Sequence, residues 1–205
     1  MIETRESVSS NSTWHEFGQT RQTERMIVMN TTEHNQYGSK PLRIMLPINA
    51  KEDSRWGAQY AVRRHSEGTP LEVVLLNIGE PITQWQVLRF RKQQEIADFQ
   101  SQRAQAFIEE ASQVLLAENI PFRGIFKQGD IVFSILDAAE ELNCDEIVMP
   151  KPKQGVMKLF SRDIALDIQR RQRGAHVVLV NKDGRPDRRS AAYAKQPSLR
   201  LFRSC

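Results

Sequence analysis

Glu146-Ile147-Val148-Met149 is a short, mostly apolar run, and a turn-like stretch, Pro150-Lys151-Pro152-Lys153-Gln154-Gly155-Val156-Met157-Lys158, follows it. Next come the amphipathic segment Ser161 to Arg173 and a second apolar run, His176 to Val180. The pattern predicts a strand, a turn, a helix and another strand. Buried strands joined through a helix must be parallel, and open parallel sheets bind ligands at the carboxyl ends of their strands. We therefore expect any site to include this turn.

Three further apolar runs precede this unit, and each has the length of a buried strand. They are Leu42–Ile48, Leu71–Ile78 and Phe122–Lys127. Together with the two runs described above, they make five strands that alternate with helical segments. This order is typical of an α/β fold in which helices cover both faces of a parallel sheet.

Helical periodicity and capping residues are found between these strands. The segment Gln84 to Asn119 predicts one long helix or two, and its glutamines, including Gln100, are expected to face solvent rather than to form an interaction strip. Asp130 is expected to cap the helix Ile131 to Leu142. Asn143 is suited to the left-handed position after that helix.

Composition indicates one domain of about residues 41–181, because 205 residues with 40% hydrophobic content are too few for two large cores. No apolar run reaches the length of a membrane span and no secretory signal is recognisable, so a cytoplasmic location is expected. The two cysteines, Cys144 and Cys205, are far apart and lack metal-ligand spacing. The sequence therefore predicts free thiols and no metal site, with Cys144 a packed thiol.

The two ends of the chain differ in charge from the predicted domain. Residues 1–40 are polar and are expected to be a disordered extension, or alternatively a docking arm that uses Trp14, Phe17 or the cluster Met26-Ile27-Val28-Met29. Residues 182–205 carry seven basic and two acidic side chains, a charge of +5, while the rest of the chain sums to -1, so they are expected to form a basic, flexible tail.

Several local strings resemble the universal stress protein family over residues 42–181. They are Leu46-Pro47-Ile48-Asn49, Gln128-Gly129-Asp130, and Ala138-Ala139-Glu140-Glu141-Leu142-Asn143-Cys144-Asp145-Glu146-Ile147-Val148-Met149. The resemblance implies a Rossmann-like, three-layer α/β/α sandwich with a five-stranded parallel sheet of order 3-2-1-4-5. It also implies a homodimer formed through the last strand.

Family members that bind ATP use an aspartate after the first strand and the pattern G-x-x-G-x9-G-S/T after the fourth. Glycines allow backbone amides to approach phosphates closely, and the start of a helix adds partial positive charge. Here Asn49 replaces the aspartate, Pro150 and Lys153 replace the first two glycines, and Asp163-Ile164 replaces the last pair. Proline has no amide hydrogen, and Asp163 would bring negative charge near phosphate.

The resemblance places a degenerate nucleotide site on ten residues. They are Pro47, Asn49, Gly129, Pro150, Lys151, Lys153, Gly155, Lys158, Ser161 and Arg162. The lysines around Gly155 either hold an anion by charge or are simply part of a solvated surface turn. No catalytic motif is found, and the four histidines are scattered among unrelated segments.

The leading interpretation is a non-enzymatic stress-response protein that acts as a dimeric scaffold or regulator on a protein partner, without a cofactor. The alternative is a family member that binds ATP or AMP through an altered loop, with slow hydrolysis. A third interpretation makes the basic tail a tether for nucleic acid or an acidic protein. The tail has only Tyr193 and Phe202 to stack on bases, which argues against nucleic acid.

Overall fold

The computed structural model describes residues 25–27, 40–81, 92–151, 164–172 and 174–187. The strands in these ranges are β1 (Arg25–Ile27), β2 (Leu42–Ile48), β3 (Leu71–Gly79), β4 (Phe122–Gln128), β5 (Glu146–Pro150) and β6 (His176–Val180). The helices are a 3-10 turn (Glu52–Arg55), α1 (Trp56–Ser66), α2 (Gln93–Ala117), α3 (Ile131–Glu141) and α4 (Ile164–Arg171).

The strands form one sheet of order β1-β4-β3-β2-β5-β6. The five strands from β2 to β6 are parallel, which confirms the predicted order 3-2-1-4-5. A sixth strand, which the sequence did not predict, adds to these five: β1 pairs antiparallel with β4, with Met26 opposite Ile125. Three residues are too few to show an alternating pattern, and these residues were therefore assigned to the N-terminal extension, residues 1–40.

Helices cover both faces of the sheet, which confirms the three-layer arrangement. On one face α1 and α2 pack against side chains such as Ile44, Leu46 and Leu75. On the other face α3 and α4 pack against Met45 and Ile147. Neighbouring residues of each strand alternate between the two cores because side chains of a strand point to opposite faces in turn.

The predicted helix ends agree with the structure where they rest on capping residues. The Asp130 side chain accepts a hydrogen bond from the Phe133 N–H at 3.0 Å, and Asn143 has a φ of +51°. Within the described ranges the segment after β3 contains one continuous helix, α2, which begins at Gln93, while residues 84–91 lie outside those ranges. Residues 161–163 and 173 of the last predicted helix also lie outside them.

Gln100 is a correction to the prediction that the glutamines of α2 face solvent. Its amide group donates to the carbonyl of Glu80 at 2.9 Å and accepts from Gln128 Nε2 at 2.8 Å. Gln100 therefore links the ends of β3 and β4 to α2.

No helix in the described ranges is long and apolar enough to cross a membrane.

Candidate functional site

The carboxyl edge of the parallel strands is built around Asn49, which follows β2. The Asn49 Oδ1 atom accepts a hydrogen bond from the Lys51 N–H at 2.7 Å, so the side chain folds back on its own loop. The Ser54 hydroxyl supports this turn, since it accepts from the Asn49 N–H at 3.2 Å and lies 2.7 Å from the Lys51 carbonyl oxygen. Such side-chain turns are typical of Asn.

The end of β2 is held by a residue that the sequence did not single out. Asn77 on β3 is buried, and its amide Nδ2 donates to the Ile48 carbonyl at 2.8 Å. Asn77 and Ile48 are also opposite each other in the strand register. A polar residue directly after the apolar run of β3 was the available signal, because buried polar groups need partners. Pro47 lies within β2, in register with Leu76.

The turn after β5 begins with two residues whose backbone offers no donor to a ligand. Pro150 has no N–H, and the Lys151 N–H donates to the Val180 carbonyl at 2.8 Å. The Lys151 ammonium lies 3.2 Å from a carboxylate oxygen of Asp187. This lysine, which was predicted to attract an anion, is thus already beside an acidic side chain of the same chain.

Gly129 follows β4 and connects it to α3. The Gly129 N–H donates to the Gly79 carbonyl at 3.1 Å, and its φ of +155° is rarely adopted by other residues. A side chain there would also crowd Ser134, because its Cβ would lie 3.0 Å from the hydroxyl oxygen. The start of α3 is capped by the negatively charged Asp130, which makes it a poor place for a phosphate.

Five of the ten predicted site residues therefore lie at the ends of β2, β4 and β5 or next to them. The other five, Lys153, Gly155, Lys158, Ser161 and Arg162, lie outside the described residues, as does Asp163. Among the described residues, no group of three or more His, Cys, Asp or Glu side chains is placed to hold a metal ion.

The opposite, amino-terminal edge of the sheet carries the groups with shifted pKa values. Tyr60 donates its hydroxyl hydrogen to Glu146 Oε2 at 2.9 Å, and both side chains are buried. Burial raises the pKa of Glu146, and burial together with the nearby Glu146 carboxylate raises the pKa of Tyr60. Burial also raises the pKa of Cys144 to about 11, so its thiol stays protonated and unreactive at neutral pH, as expected of a packed thiol.

The sequence and the fold of this chain can be compared with those of known proteins. The model of the universal stress protein family matches residues 42–168, which is more than half of the chain. The chain belongs to the universal stress protein family. No curated protein matches the sequence significantly.

Solved universal stress proteins share this fold at low sequence identity. One from Archaeoglobus fulgidus is 21% identical with a TM-score of 0.55, over 67% of this chain and 48% of that one. The protein UspA from Lactobacillus plantarum is 12% identical with a TM-score of 0.54, over 70% and 99%. A universal stress protein solved in complex with cAMP is 12% identical with a TM-score of 0.52, over 70% and 99%. These likenesses establish the fold.

Proposed function

We propose that this universal stress protein is a non-enzymatic regulator that acts on a protein partner and does not bind ATP in the manner of the family's ATP-binding members. The observation that carries the proposal is the backbone at Pro150 and Lys151. The first has no N–H, and the second donates its N–H to Val180. A phosphate loop binds through backbone amides that converge on the ligand, and the start of this loop has none to offer.

The environment of Asn49 supports the same proposal. An aspartate at this position can accept hydrogen bonds from a ribose or bind a metal, but the Asn49 side-chain oxygen is engaged by the Lys51 N–H. The Nδ2 group of asparagine is a donor and carries no charge. The Asn49 oxygen therefore has one lone pair already engaged and lacks the negative charge with which an aspartate would bind a metal.

The alternative proposal is a member that binds AMP or ATP through an altered loop, with slow hydrolysis. It is favoured by the lysines of the loop, Lys151, Lys153 and Lys158, and by the shared fold of the relative solved with cAMP. Binding by lysines relies on charge more than on fixed geometry. Such a site would lose affinity as salt rises and would discriminate weakly between adenine nucleotides and other polyanions.

Calorimetric titration of the full chain with Mg-ATP, and separately with AMP, tests the two proposals at physiological salt. We expect no saturable, adenine-selective site with a low-micromolar Kd. Tripolyphosphate is the control ligand, because it carries the phosphate charge without adenine. Saturable binding of ATP in the low-micromolar range, with no matching signal for tripolyphosphate, would contradict the leading proposal and support the alternative.

A restored variant provides the matched protein control. It combines Asn49→Asp, Pro150→Gly, Lys153→Gly, Asp163→Gly and Ile164→Ser, which together recreate the family pattern. We expect its affinity for ATP to rise above that of the wild type, because it regains amide donors and the acidic residue. Self-association through the last strand, the partner arrangement implied by the resemblance, remains a separate proposal.

A further inference from the structure

The outer side of α3 combines a large exposed apolar side chain with acidic residues. The exposed residues of this helix are Phe133, Asp137, Glu140 and Glu141. They are spaced three or four positions apart, so they lie on one side of the helix. Phe133 is 63% exposed, more than any other large hydrophobic side chain among the described residues. The helix contains no Lys or Arg that could offset its acidic residues.

Two of these acidic side chains are held in place by a buried lysine. Lys127 of β4 is only 6% exposed, and its ammonium lies 2.7 Å from a carboxylate oxygen of Glu141 and 3.3 Å from one of Asp137. The two acidic side chains remain 54% and 49% exposed. Lys127 therefore orders both carboxylates from below and leaves much of their surface to solvent. Together with Asp130 and Glu140, they set four carboxylates against one ammonium.

Helix α4 continues this surface towards the last strand. It packs beside α3, and its third residue, Leu166, is 39% exposed. Phe133 is likewise the third residue of α3. Both helices follow parallel strands, so both begin at the carboxyl edge of the sheet. We call the exposed residues of the two helices named so far, Phe133, Asp137, Glu140, Glu141 and Leu166, the acidic helix face.

The described chain ends at the same edge of the sheet. The Asp187 N–H donates to the Leu179 carbonyl at 2.8 Å, and the Asp187 carboxylate lies 3.2 Å from the ammonium of Lys151, which directly follows β5. The Leu179 side chain belongs to the core that α3 and α4 cover. The residues after Asp187 therefore start close to the apolar end of the acidic helix face.

Residues 188–205 lie outside the described residues, but their length and composition match this face. They include five basic residues and no acidic one, with apolar residues between them: Arg188, Arg189, Tyr193, Lys195, Leu199, Arg200, Leu201, Phe202 and Arg203. Eighteen residues can extend to about 60 Å. A path across α4 and along α3 needs about 10 Å between the helix axes and about 17 Å along α3. The tail is therefore long enough to follow the whole face.

We propose that residues 188–205 dock on the acidic helix face of their own chain, with basic side chains against the carboxylates and apolar side chains against Phe133 and Leu166. The tail is the fitting occupant because its charge is opposite to that of the face. It is also tethered at the edge where the face begins, which gives it an effective concentration on the order of millimolar. Docking covers the face, and release frees both the face and the tail. This inference does not depend on the proposed function.

A nitroxide label on Cys205 in the full chain tests the proposal. The other cysteine, Cys144, is buried and burial raises the pKa of its thiol to about 11, so the label reacts at Cys205. We expect the label to enhance the relaxation of the Phe133 and Asp137 amides, measured by NMR at low salt. The Phe99 amide is the internal reference, because Phe99 is 57% exposed but lies on α2, on the opposite face of the sheet. Salt at 1 M, where screening acts within about 3 Å, should remove most of the enhancement.

Two variants of the labelled full chain test the two kinds of contact. Phe133→Gln removes the apolar contact and keeps the backbone N–H that bonds to Asp130. We expect it to weaken docking about tenfold, seen as lower enhancement at the Asp137 amide, whereas the matched control Phe99→Gln should leave that enhancement unchanged. Should Phe133→Gln fail to fold, Glu140→Lys is the second variant. It reverses an exposed charge, keeps both pairs of Lys127 and should weaken docking at least about twofold.

Three results would overturn the proposal. The first is equal enhancement at Phe99 and Asp137, or none at either, which would leave the face to a basic segment of another protein. The second is enhancement that neither Phe133→Gln nor Glu140→Lys lowers. The third comes from a mixture of ¹⁵N-enriched chains without the label and labelled chains without ¹⁵N. Enhancement at Asp137 in this mixture as strong as in the singly labelled sample would show that the tail docks on another copy.

Discussion

Tyr60 and Glu146 show how one buried pair determines a pH response. Glu146 is 5% exposed and Tyr60 1% exposed, and their hydrogen bond joins α1 to the first residue of β5. Burial raises the pKa of Glu146 in the folded protein above its unfolded value of about 4.3. A raised folded pKa means that this group stabilises the fold at low pH and that the contribution is lost as pH rises through the folded pKa.

The substitution Glu146→Gln removes this titration and keeps an acceptor for the Tyr60 hydroxyl. We therefore expect the free energy of unfolding of the variant to rise relative to that of the wild type between pH 4 and pH 8. Urea denaturation at several pH values measures the difference. A wild type that gains stability over the variant as pH rises would contradict the raised pKa.

The matched partner variant is Tyr60→Phe, which removes the hydroxyl and leaves the Glu146 carboxyl without this donor. Loss of a partner to a buried polar group costs about 1–3 kcal/mol. We expect this variant to be less stable than the wild type at neutral pH. Without the donor that favours its charged form, Glu146 should also titrate at a higher pH.

Residue-level predictions from the sequence succeeded where the interaction is local. The cap formed by Asp130 and the positive φ of Asn143 depend on neighbours within a few residues, so they could be read from the sequence. The pair of Tyr60 with Glu146 and the bond from Asn77 to Ile48 join distant parts of the chain. Such contacts depend on which strands become neighbours, and composition and spacing do not give that information.

At the scale of elements, α3 depends on a short local signal at its beginning. Asp130 accepts from the Phe133 N–H and places a negative charge at the positive end of the helix dipole. We expect Asp130→Ala to lower the free energy of unfolding by about 1 kcal/mol, which chemical denaturation can measure.

The control for this helix is Asp130→Asn, which keeps a side-chain oxygen as acceptor but removes the charge. Asn is also a favoured capping residue, so we expect its loss of stability to be smaller than that of Asp130→Ala. Equal destabilisation by both substitutions would indicate that charge, and not the capping hydrogen bond, determines the effect.

Strand β1 and residues 181–187, which turn back onto β6, show which elements sequence patterns leave out. Strand β1 has three residues and residues 181–187 contribute one bridge, between Val180 and Pro186, whereas the parallel strands β2 to β6 are each five or more residues long. The periodicity of a segment this short is not distinguishable from chance. The five central strands were therefore predictable, and the two short segments beside them were not.

At the scale of the whole molecule, each of the two edges of the parallel sheet pairs with a short antiparallel segment of the same chain. β1 pairs with β4 at one edge, and at the other edge Pro186 forms an antiparallel bridge with Val180 of β6. Natural sheets commonly protect their edges in this way against unwanted pairing. The domain boundary predicted at Asn181 therefore lies between β6 and residues 182–187, of which Arg185 and Asp187 form backbone hydrogen bonds with Asn181 and Leu179.

This arrangement predicts how the chain responds to shortening at its C-terminus. The Leu179 carbonyl accepts from the Asp187 N–H at 2.8 Å, and the Asn181 N–H donates to the Arg185 carbonyl at 3.1 Å. A chain that ends after Asp187 keeps these bonds, whereas a chain that ends after Asn181 loses them together with the packing of Gly184 on the backbone of α1 and the ion pair with Lys151. Each net hydrogen bond stabilises by about 0.5–1.5 kcal/mol, so we expect the shorter chain to be less stable by about 1–3 kcal/mol. Thermal unfolding of the two chains, both beginning at Met1 and held at a concentration too low for self-association, measures this difference. Equal Tm values for the two shortened chains would place the end of the cooperative unit at Asn181. If the chain that ends at Asp187 has a Tm well below that of the full chain, residues 188–205 also stabilise the fold.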